Sequence, residues 1–244
     1  MSYIIELKDA YFSAQGRRII RNLSFCFEEG KTTALVGPSG GGKSTALKLA
    51  AGLFPPDEGD VLFKGQSIAR MSQQENLAFR RISAVVFQDS ALWANQNLFQ
   101  TLELPLRIHF PSMSKKDREK RIESVVAKVG YTKELGIRPA GLSMGEQKLL
   151  AFARALICQP RLLYLDEWTE SLDQYSAQRL IDLVKDLKDN GVSIILVSHN
   201  IQIIHEVADI AVMILGGQIF LRLTKEQIDS DEDLSRYIER GMGA

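Results

Sequence analysis

The chain has few cysteines, the residues whose disulfides stabilise small secreted domains, and it has no apolar run long enough to cross a membrane. Only two of its 244 residues are cysteine, Cys26 and Cys158, so we expect two free, buried thiols and no disulfide framework. All of its apolar runs fall short of the roughly 18 residues that a membrane-spanning helix needs. The first residues also lack the layout of a signal peptide, so we expect the protein to stay in the compartment where it is made.

The sequence also lacks an excess of charge of either sign, because 30 basic residues balance 30 acidic ones. Proteins that bind a nucleic-acid backbone usually carry a basic patch or stripe, so we expect no nucleic-acid partner. What remains is an ordinary globular composition, 45% hydrophobic and 25% charged. The length of 244 residues fits one domain, or one domain with a sizeable insertion.

The most specific motif is GPSGGGKST, which begins at Gly37 and lies between an apolar run at 34–36 and a helical pattern at 46–51. Glycines let backbone N–H groups turn inward around a phosphate, and a helix N-terminus adds partial positive charge. The lysine of such a loop reaches the β- and γ-phosphates, and the hydroxyl that follows can ligate Mg²⁺. We therefore predict a nucleoside-triphosphate site formed by Gly37, Ser39, Gly40, Gly41, Gly42, Lys43, Ser44 and Thr45.

A second motif consists of the strand-like run at 161–165 and the two acidic residues that follow it, Asp166 and Glu167. A carboxylate at the tip of a strand beside a phosphate loop suits Mg²⁺, so Asp166 is predicted to be a metal ligand together with Ser44. The adjacent Glu167 can orient and deprotonate an attacking water. The chain is therefore predicted to hydrolyse the nucleotide that it binds.

The order of apolar patterns predicts an α/β fold with a parallel sheet flanked by helices. Strand patterns before the phosphate loop favour an antiparallel β flap beside this core, and strand signals vanish at 88–158, which predicts a helical insertion. Later strand patterns alternate with helical ones, as in parallel α/β proteins. We predict a core lobe at 1–87 and 159–225, a helical subdomain with a helix at about 114–129 inside 88–158, and a tail at 226–244 with a helix at 231–240.

The segment LSMGE at 142–146, followed by a helical run that ends in ARAL at 153–156, resembles the ATP-binding-cassette (ABC) family. That family has the signature LSGGQ at the start of a helix before the acidic strand. Its other motifs occur in the same order here: Gln88 corresponds to the Q-loop glutamine, Ser171-Leu172-Asp173 to the D-loop, and His199 to the switch histidine. The resemblance implies a P-loop NTPase fold and an ATPase that uses ATP and Mg²⁺, with Gln88 as a further metal ligand and Gln88, Glu167 and His199 as catalytic residues.

The resemblance also implies a head-to-tail dimer, in which each ATP lies between the phosphate loop of one copy and the signature helix of the other. The residues that would contact the partner's nucleotide are Ser143, Gly145, Glu146 and Asp173. The residues themselves add that Ser143-x-x-Glu146 is a capping box, which would leave backbone donors at the start of the helix free to face a phosphate.

Three residues depart from the family pattern. Met144 replaces the first glycine of the signature, Glu146 places a negative charge near the partner's site, and Trp168 replaces a proline that commonly follows the glutamate. All groups with a chemical role are present, so we predict an active ATPase whose turnover these changes could slow. A nucleotide-gated scaffold with negligible hydrolysis is the alternative that rests on Met144 and Glu146.

The residue that stacks on adenine is predicted to be Phe12, because many family members place an aromatic residue at about this distance before the loop. Tyr11 is a neighbouring candidate and Ala14 occupies the expected spacing, and strand parity puts Phe12 on the same face as Ala14. A core-facing aromatic in the flap is the alternative for Phe12.

In the family, the helical insertion carries a groove for a coupling helix of a membrane permease. Trp93, Leu98 and Phe99 could line such a groove or form the internal core of the insertion. The stretch from Phe87 through Leu104-Pro105-Leu106-Arg107 is similar to the ATPases of Mla/Mce-type lipid transporters. The lipoprotein-release and amino-acid-importer branches share enough of it to compete.

The resemblance as a whole implies a cytoplasmic ATPase subunit, peripheral on the inner face of the plasma membrane. Its partners would be an integral-membrane permease, a second copy of itself and, as a further candidate, a periplasmic lipid- or substrate-binding protein. A soluble family member acting on ribosomes or DNA is the remaining alternative. One set of motifs and the absence of a sustained heptad run in the sequence disfavour it.

Overall fold

The computed structural model describes residues 2–230 of the chain. The predicted terminal helix at 231–240 and most of the predicted tail lie outside these described residues. Within them, no helix combines the length and apolar character needed to span a bilayer.

A four-stranded antiparallel sheet forms the flap predicted from the sequence, and that prediction is confirmed. Its order is β2-β1-β4-β5, in which β1 pairs antiparallel with both neighbours. Strands of alternating pattern need only one buried face, and the inner face of this sheet covers helix α1. The strands are β1 (Tyr3–Ala14), β2 (Arg17–Glu28), β4 (Glu58–Phe63) and β5 (Gln66–Ser67), and the helix is α1 (Lys43–Ala50).

The second sheet has six strands in the order β10-β9-β3-β8-β7-β6, of which only the edge strand β10 runs antiparallel to its neighbour. Parallel strands whose carboxyl ends meet at one edge create a binding crevice there, at the point where the strand order reverses. Here the ends of β3, β7 and β8 bring the phosphate loop, the acidic pair and His199 to one edge. The strands are β3 (Thr32–Val36), β6 (Ser83–Val86), β7 (Leu162–Asp166), β8 (Ser193–Val197), β9 (Ile210–Leu215) and β10 (Gln218–Thr224).

Both faces of the parallel sheet are buried, which explains why β3, β7 and β8 are apolar without alternation. Ala34 and Leu163 point into a core formed with helices of the insertion, whereas their neighbours Leu35 and Tyr164 point into a core formed with α1 and the flap. Residues 2–230 therefore form two cores, one on each face of the parallel sheet.

Three helices occupy the segment between β6 and β7, namely α3 (Leu98–His109), α4 (Lys115–Val129) and α5 (Met144–Leu156). The remaining helices are α2 (Gln73–Ile82), α6 (Gln174–Asp189), α7 (Ile201–Val207) and α8 (Lys225–Ser230). Helix α2 was not predicted from the sequence. Its start carries a signal that the sequence contains, because Ser72 and Glu75 form a capping box there. Strand β10, whose apolar residues give only a short pattern, was not predicted either.

Candidate active site

The phosphate loop is a tight turn that requires glycine at particular points. Gly37 has φ 132°, and a Cβ there would lie 2.3 Å from the carbonyl oxygen of Ile214 on β9. Gly42, at the N-terminus of α1, has φ 103° and lies against Ile20 of the flap. The backbone of β9 and the side chain of Ile20 occupy the space that a Cβ would need, so both positions require glycine.

The Lys43 ammonium group lies inside this loop. Its side chain is buried, and Nζ donates to the carbonyl oxygens of Gly37 at 2.9 Å and Pro38 at 2.8 Å. Burial lowers the pKa of Lys43, while the nearby carboxylates of Glu167 and Asp166 oppose that change. The loop therefore holds one fixed positive charge beside the acidic pair.

Ser44 and Asp166 are brought together from α1 and β7. The Ser44 hydroxyl donates to Oδ1 of Asp166 at 2.8 Å, and Asp166 is only 2% exposed. Gln88, which follows β6, lines a cavity together with Ser44, and its amide nitrogen donates to Oε2 of Glu170 at 2.9 Å. A hydroxyl, a carboxylate and an amide oxygen are the hard oxygen donors that Mg²⁺ prefers, so these residues fit that ion.

Glu167 and His199 face each other at the ends of β7 and β8. Nε2 of His199 lies 3.1 Å from Oε1 of Glu167, and that buried oxygen makes no well-aligned hydrogen bond with the described residues. Glu167 has φ 44°, a left-handed conformation that is uncommon for a non-glycine residue and clusters at functional sites.

Burial, and then the neighbouring carboxylates of Glu170 and Asp166, raise the pKa of Glu167 to about 7. The pKa of His199 is lowered, chiefly by burial and then by the charge of Lys43. A carboxyl with a pKa near 7 can exchange a proton at physiological pH, as a general base must.

A cavity of about 660 Å³ is lined by Lys43, Ser44, Gln88, Glu167 and His199. The flap contributes Ala14, Arg17 and Ile19 to its wall, but not Phe12. The Phe12 ring instead stacks on Phe54, with centroids 5.2 Å apart. Phe12 and Ala14 lie on the same face of β1, because the register shift between Phe12 and Ser13 skips Ile19 on β2 and leaves β1 regular. The stacking on Phe54, and not a change of face, holds the Phe12 ring away from this cavity.

The predicted capping box at the start of α5 is present. The Glu146 carboxylate accepts from the Ser143 backbone N–H at 2.9 Å, and Ser143 Oγ accepts from the Glu146 N–H at 3.3 Å. The other carboxylate oxygen of Glu146 lies 2.5 Å from Nζ of Lys133. The carboxylate of Glu146 therefore points back toward the start of its own helix and is paired with Lys133.

The other residues predicted to contact a partner's nucleotide lie nearby. A Cβ on Gly145 would lie 3.0 Å from the Ser171 carbonyl oxygen, so the signature segment and the D-loop segment meet. Asp173 caps α6, where its carboxylate accepts from the N–H and the hydroxyl of Ser176. Met144 is 70% exposed at the start of α5.

A second cavity, of about 420 Å³, lies between the core and the helical segment. Trp93 is 43% exposed and lines it beside Arg154, as the sequence suggested for a groove residue. Leu98 is fully buried, and Phe99 packs against the same core. Of the three groove candidates, only Trp93 therefore lines this cavity.

A phosphate loop beside an acidic strand end on a parallel sheet defines a nucleotide-hydrolysing enzyme of the P-loop class. Residues 20–170 match the family model described as ABC transporter. The chain is 33% identical over 232 residues to the intermembrane phospholipid transport system ATP-binding protein MlaF of Haemophilus influenzae, covering 95% of this chain and 88% of that protein. It is 32% identical over 229 residues to the L-cystine import ATP-binding protein TcyC of Bacillus subtilis, covering 91% and 92%.

A solved structure agrees in fold. It is the dimeric post-hydrolysis state of the ATP-binding cassette MJ0796 bound to ADP and Pi, with a TM-score of 0.83 and 25% identity, covering 91% of this chain and 99% of that one. The chain therefore belongs to the ABC transporter family and is an ATP-binding ATPase subunit of such a transporter.

We expect turnover to increase with pH through about pH 7. The raised pKa of Glu167 leaves its carboxyl protonated below that pH, where it cannot accept a proton from water. The rate at saturating ATP should then fall by roughly tenfold per pH unit below the pKa. A steady-state profile from pH 5.5 to 8.5 measures this, and a rate that stays flat down to pH 5.5 would contradict it.

Met144→Gly should raise turnover, because it removes an exposed side chain where the signature helix would approach a partner's phosphate. Glycine in a helix costs up to about 1 kcal/mol relative to alanine, so Met144→Ala is the matched variant that separates bulk from helix stability. The turnover of both variants should exceed that of the natural chain. Equal or lower rates in both would show that Met144 does not limit hydrolysis.

Proposed function

We propose that this ATPase subunit drives the transport of a phospholipid or another lipid through a membrane permease, as in Mla/Mce-type systems. The observation that carries the lipid assignment is the 33% identity to MlaF, which extends over 95% of this chain and is not confined to the nucleotide motifs.

The proposed nucleotide site uses the cavity beside the phosphate loop. Loop N–H groups and Lys43 bind the phosphates, since they form a buried positive cradle at the start of α1. Ser44, Asp166 and Gln88 hold Mg²⁺, which when bound neutralises charge on the transferred phosphoryl group. The contact between Ser44 and Asp166 supports this set, because it places two oxygen donors side by side.

Glu167 is proposed as the general base for the attacking water. Its free, buried Oε1 and raised pKa suit a group that accepts a proton near neutral pH. His199 lies 3.1 Å from that oxygen and would fix the orientation of the carboxyl group and the γ-phosphate together. Adenine is left without an aromatic partner from Phe12, so we propose that the flap wall at Ala14 and Ile19 lies against the base.

A second copy of the chain is proposed to complete each site. The start of α5 offers Ser143, Gly145 and Glu146, and Asp173 starts α6 beside it. Gly145 lies against Ser171, which precedes the Asp173 cap of α6, so one surface could approach a partner's nucleotide. The dimeric state of the MJ0796 cassette supports this arrangement.

The permease is proposed to dock at the cavity lined by Trp93. An exposed aromatic ring beside arginine side chains suits an amphipathic helix with an acidic residue. Docking there would place the chain peripherally on the cytoplasmic face of the membrane. A periplasmic lipid-binding protein would complete the transporter.

Amino-acid import is the second candidate. The L-cystine importer subunit TcyC is nearly as similar, at 32% identity over 91% of this chain. Because no residue of the nucleotide site would touch the cargo, the ATPase chemistry is the same in both cases.

The deciding experiment purifies the chain from its native membranes in mild detergent and identifies co-purifying proteins and lipids. A permease with bound phospholipid and a periplasmic lipid-binding partner is the expected result. A permease with a solute-binding protein and no lipid would overturn the lipid assignment in favour of import.

A further inference from the structure

Lys148 is a buried cation on the signature helix α5 that the ATPase chemistry does not use. It is 2% exposed, although its helix neighbours in the core are apolar. Burying a charge is unfavourable unless the charge is paired or hydrogen-bonded, so its position needs an explanation.

The ammonium group of Lys148 binds the segment that carries Gln88. Nζ donates to the carbonyl oxygen of Phe87 at 3.2 Å and to the carbonyl oxygen of Gln88. The side chain of Gln88 is held from another direction, because its amide nitrogen donates to Glu170 at 2.9 Å. Gln88 is thus fixed at its backbone by α5 and at its side chain by the loop between β7 and α6.

A second cation of α5 continues this pattern. Arg154 donates to the carbonyl oxygens of Ala91 at 2.6 Å and Ser90 at 3.2 Å, and its guanidinium lies 5.6 Å from the centre of the Trp93 ring. Ser90 and Ala91 have φ of 62° and 45°, a conformation that other contacts must stabilise. Four carbonyl groups of the segment 87–91 therefore bind two cations of one helix.

We propose that Lys148 and Glu170 are positioning residues that fix Gln88 in the nucleotide site, and that Lys148 and Arg154 join the segment 87–93 to the signature helix. The inference rests on the role proposed for Gln88. A displacement of the segment 87–93 would break these cation–carbonyl contacts unless α5 moves with it.

The test compares Lys148→Met with Arg121→Met in the full chain. Arg121 is the matched control, because it also donates to a backbone carbonyl, that of Ile157, from a neighbouring helix at 3.1 Å. Lys148→Arg is the conservative variant that keeps the charge and the donors. Steady-state kcat and KM for Mg·ATP are measured, together with hydrogen exchange of the amides at 86–94.

In Lys148→Met we expect kcat to fall by at least about tenfold while KM changes by less than about threefold, since misplacing a catalytic group acts on the reaction more than on binding. Exchange at 86–94 should accelerate by about tenfold or more. Lys148→Arg should recover part of both effects, and Arg121→Met should show neither. Kinetics or exchange in Lys148→Met that match Arg121→Met would overturn the inference.

Two further variants test the contact between Glu170 and Gln88 and the role of Gln88 itself. If Lys148→Met does not melt cooperatively, Glu170→Ala carries the test, because alanine removes the acceptor of the Gln88 amide. Its kcat and KM are measured at pH 8.5, where Glu167 is ionised with or without the charge of Glu170. A severalfold lower kcat at unchanged KM is the expected result, and an unchanged kcat would overturn the inference. Gln88→Ala with normal turnover would overturn the role proposed for Gln88 itself. The exchange measurement would then still decide whether Lys148 holds the segment.

Discussion

Glu167→Gln should lower ATP turnover by about 10²- to 10⁴-fold while leaving nucleotide binding intact. The substitution preserves the shape of the side chain but removes the group that would accept a proton from water, and general-base catalysis contributes a factor of this size. Single-turnover hydrolysis measured beside equilibrium ATP binding separates the two effects. Turnover within a few-fold of the natural chain would show that Glu167 is not the base.

The same variant should be more stable than the natural chain at pH 8. The pKa of Glu167 is about 7 in the folded chain, against 4.5 for an ordinary glutamate, so the stability that its protonated form provides is complete below pH 4.5 and is lost as pH rises through 7. The difference corresponds to roughly 3 kcal/mol at pH 8. Glutamine remains neutral, so the gain in unfolding free energy should shrink toward zero near pH 4.5. A gain that is equal at both pH values would contradict the burial of an ionised carboxyl.

Trp168→Ala should lower the free energy of unfolding by about 3–5 kcal/mol, which is among the largest effects of any single truncation in a core. Trp168 is fully buried, and its ring lies 5.7 Å from that of Phe152 on α5. Truncation would leave a cavity directly after Glu167, so turnover should fall as well. Urea denaturation and steady-state kinetics of the same preparation measure both.

Trp168→Phe is the control for this prediction. It keeps an aromatic ring against Phe152 and removes an indole Nε1 that has no hydrogen-bond partner among the described residues. We expect a loss of less than about 1.5 kcal/mol, because the smaller cavity is partly offset by the lost unpaired donor. A loss as large as that of Trp168→Ala would show that the position requires tryptophan for more than packing.

The capping role of Glu146 could be predicted from the sequence because it depends on a local pattern. The spacing Ser143-x-x-Glu146 predicts a capping box from four consecutive residues, and the structure contains it. The same spacing could not reveal Lys133, which neutralises the outer carboxylate oxygen from a separate segment. The negative charge that Glu146 adds at the start of α5 is therefore largely compensated.

The side-chain contacts of Phe12 and Gln88 could not be predicted from the sequence. Strand parity places Phe12 on the same face of β1 as Ala14, but the ring of Phe54, from a separate segment, decides what Phe12 contacts. The motif order identifies Gln88, yet its hydrogen-bond partner Glu170 is 82 residues away. Contacts over such separations depend on how β6, β7 and α5 pack, and no local pattern encodes them.

The sequence by itself determined the phosphate loop, the acidic strand end, the alternation of strands and helices, and the family. Each of these depends on residues that are close in the chain, because glycine conformation, capping and apolar periodicity act over one or two turns. Tertiary structure decided the rest. It buried Glu167 beside Glu170 and Asp166, which sets a pKa near 7. It also placed the buried charge of Lys148 against the backbone of Gln88, where only the meeting of distant elements supplies the carbonyl groups that stabilise a cation.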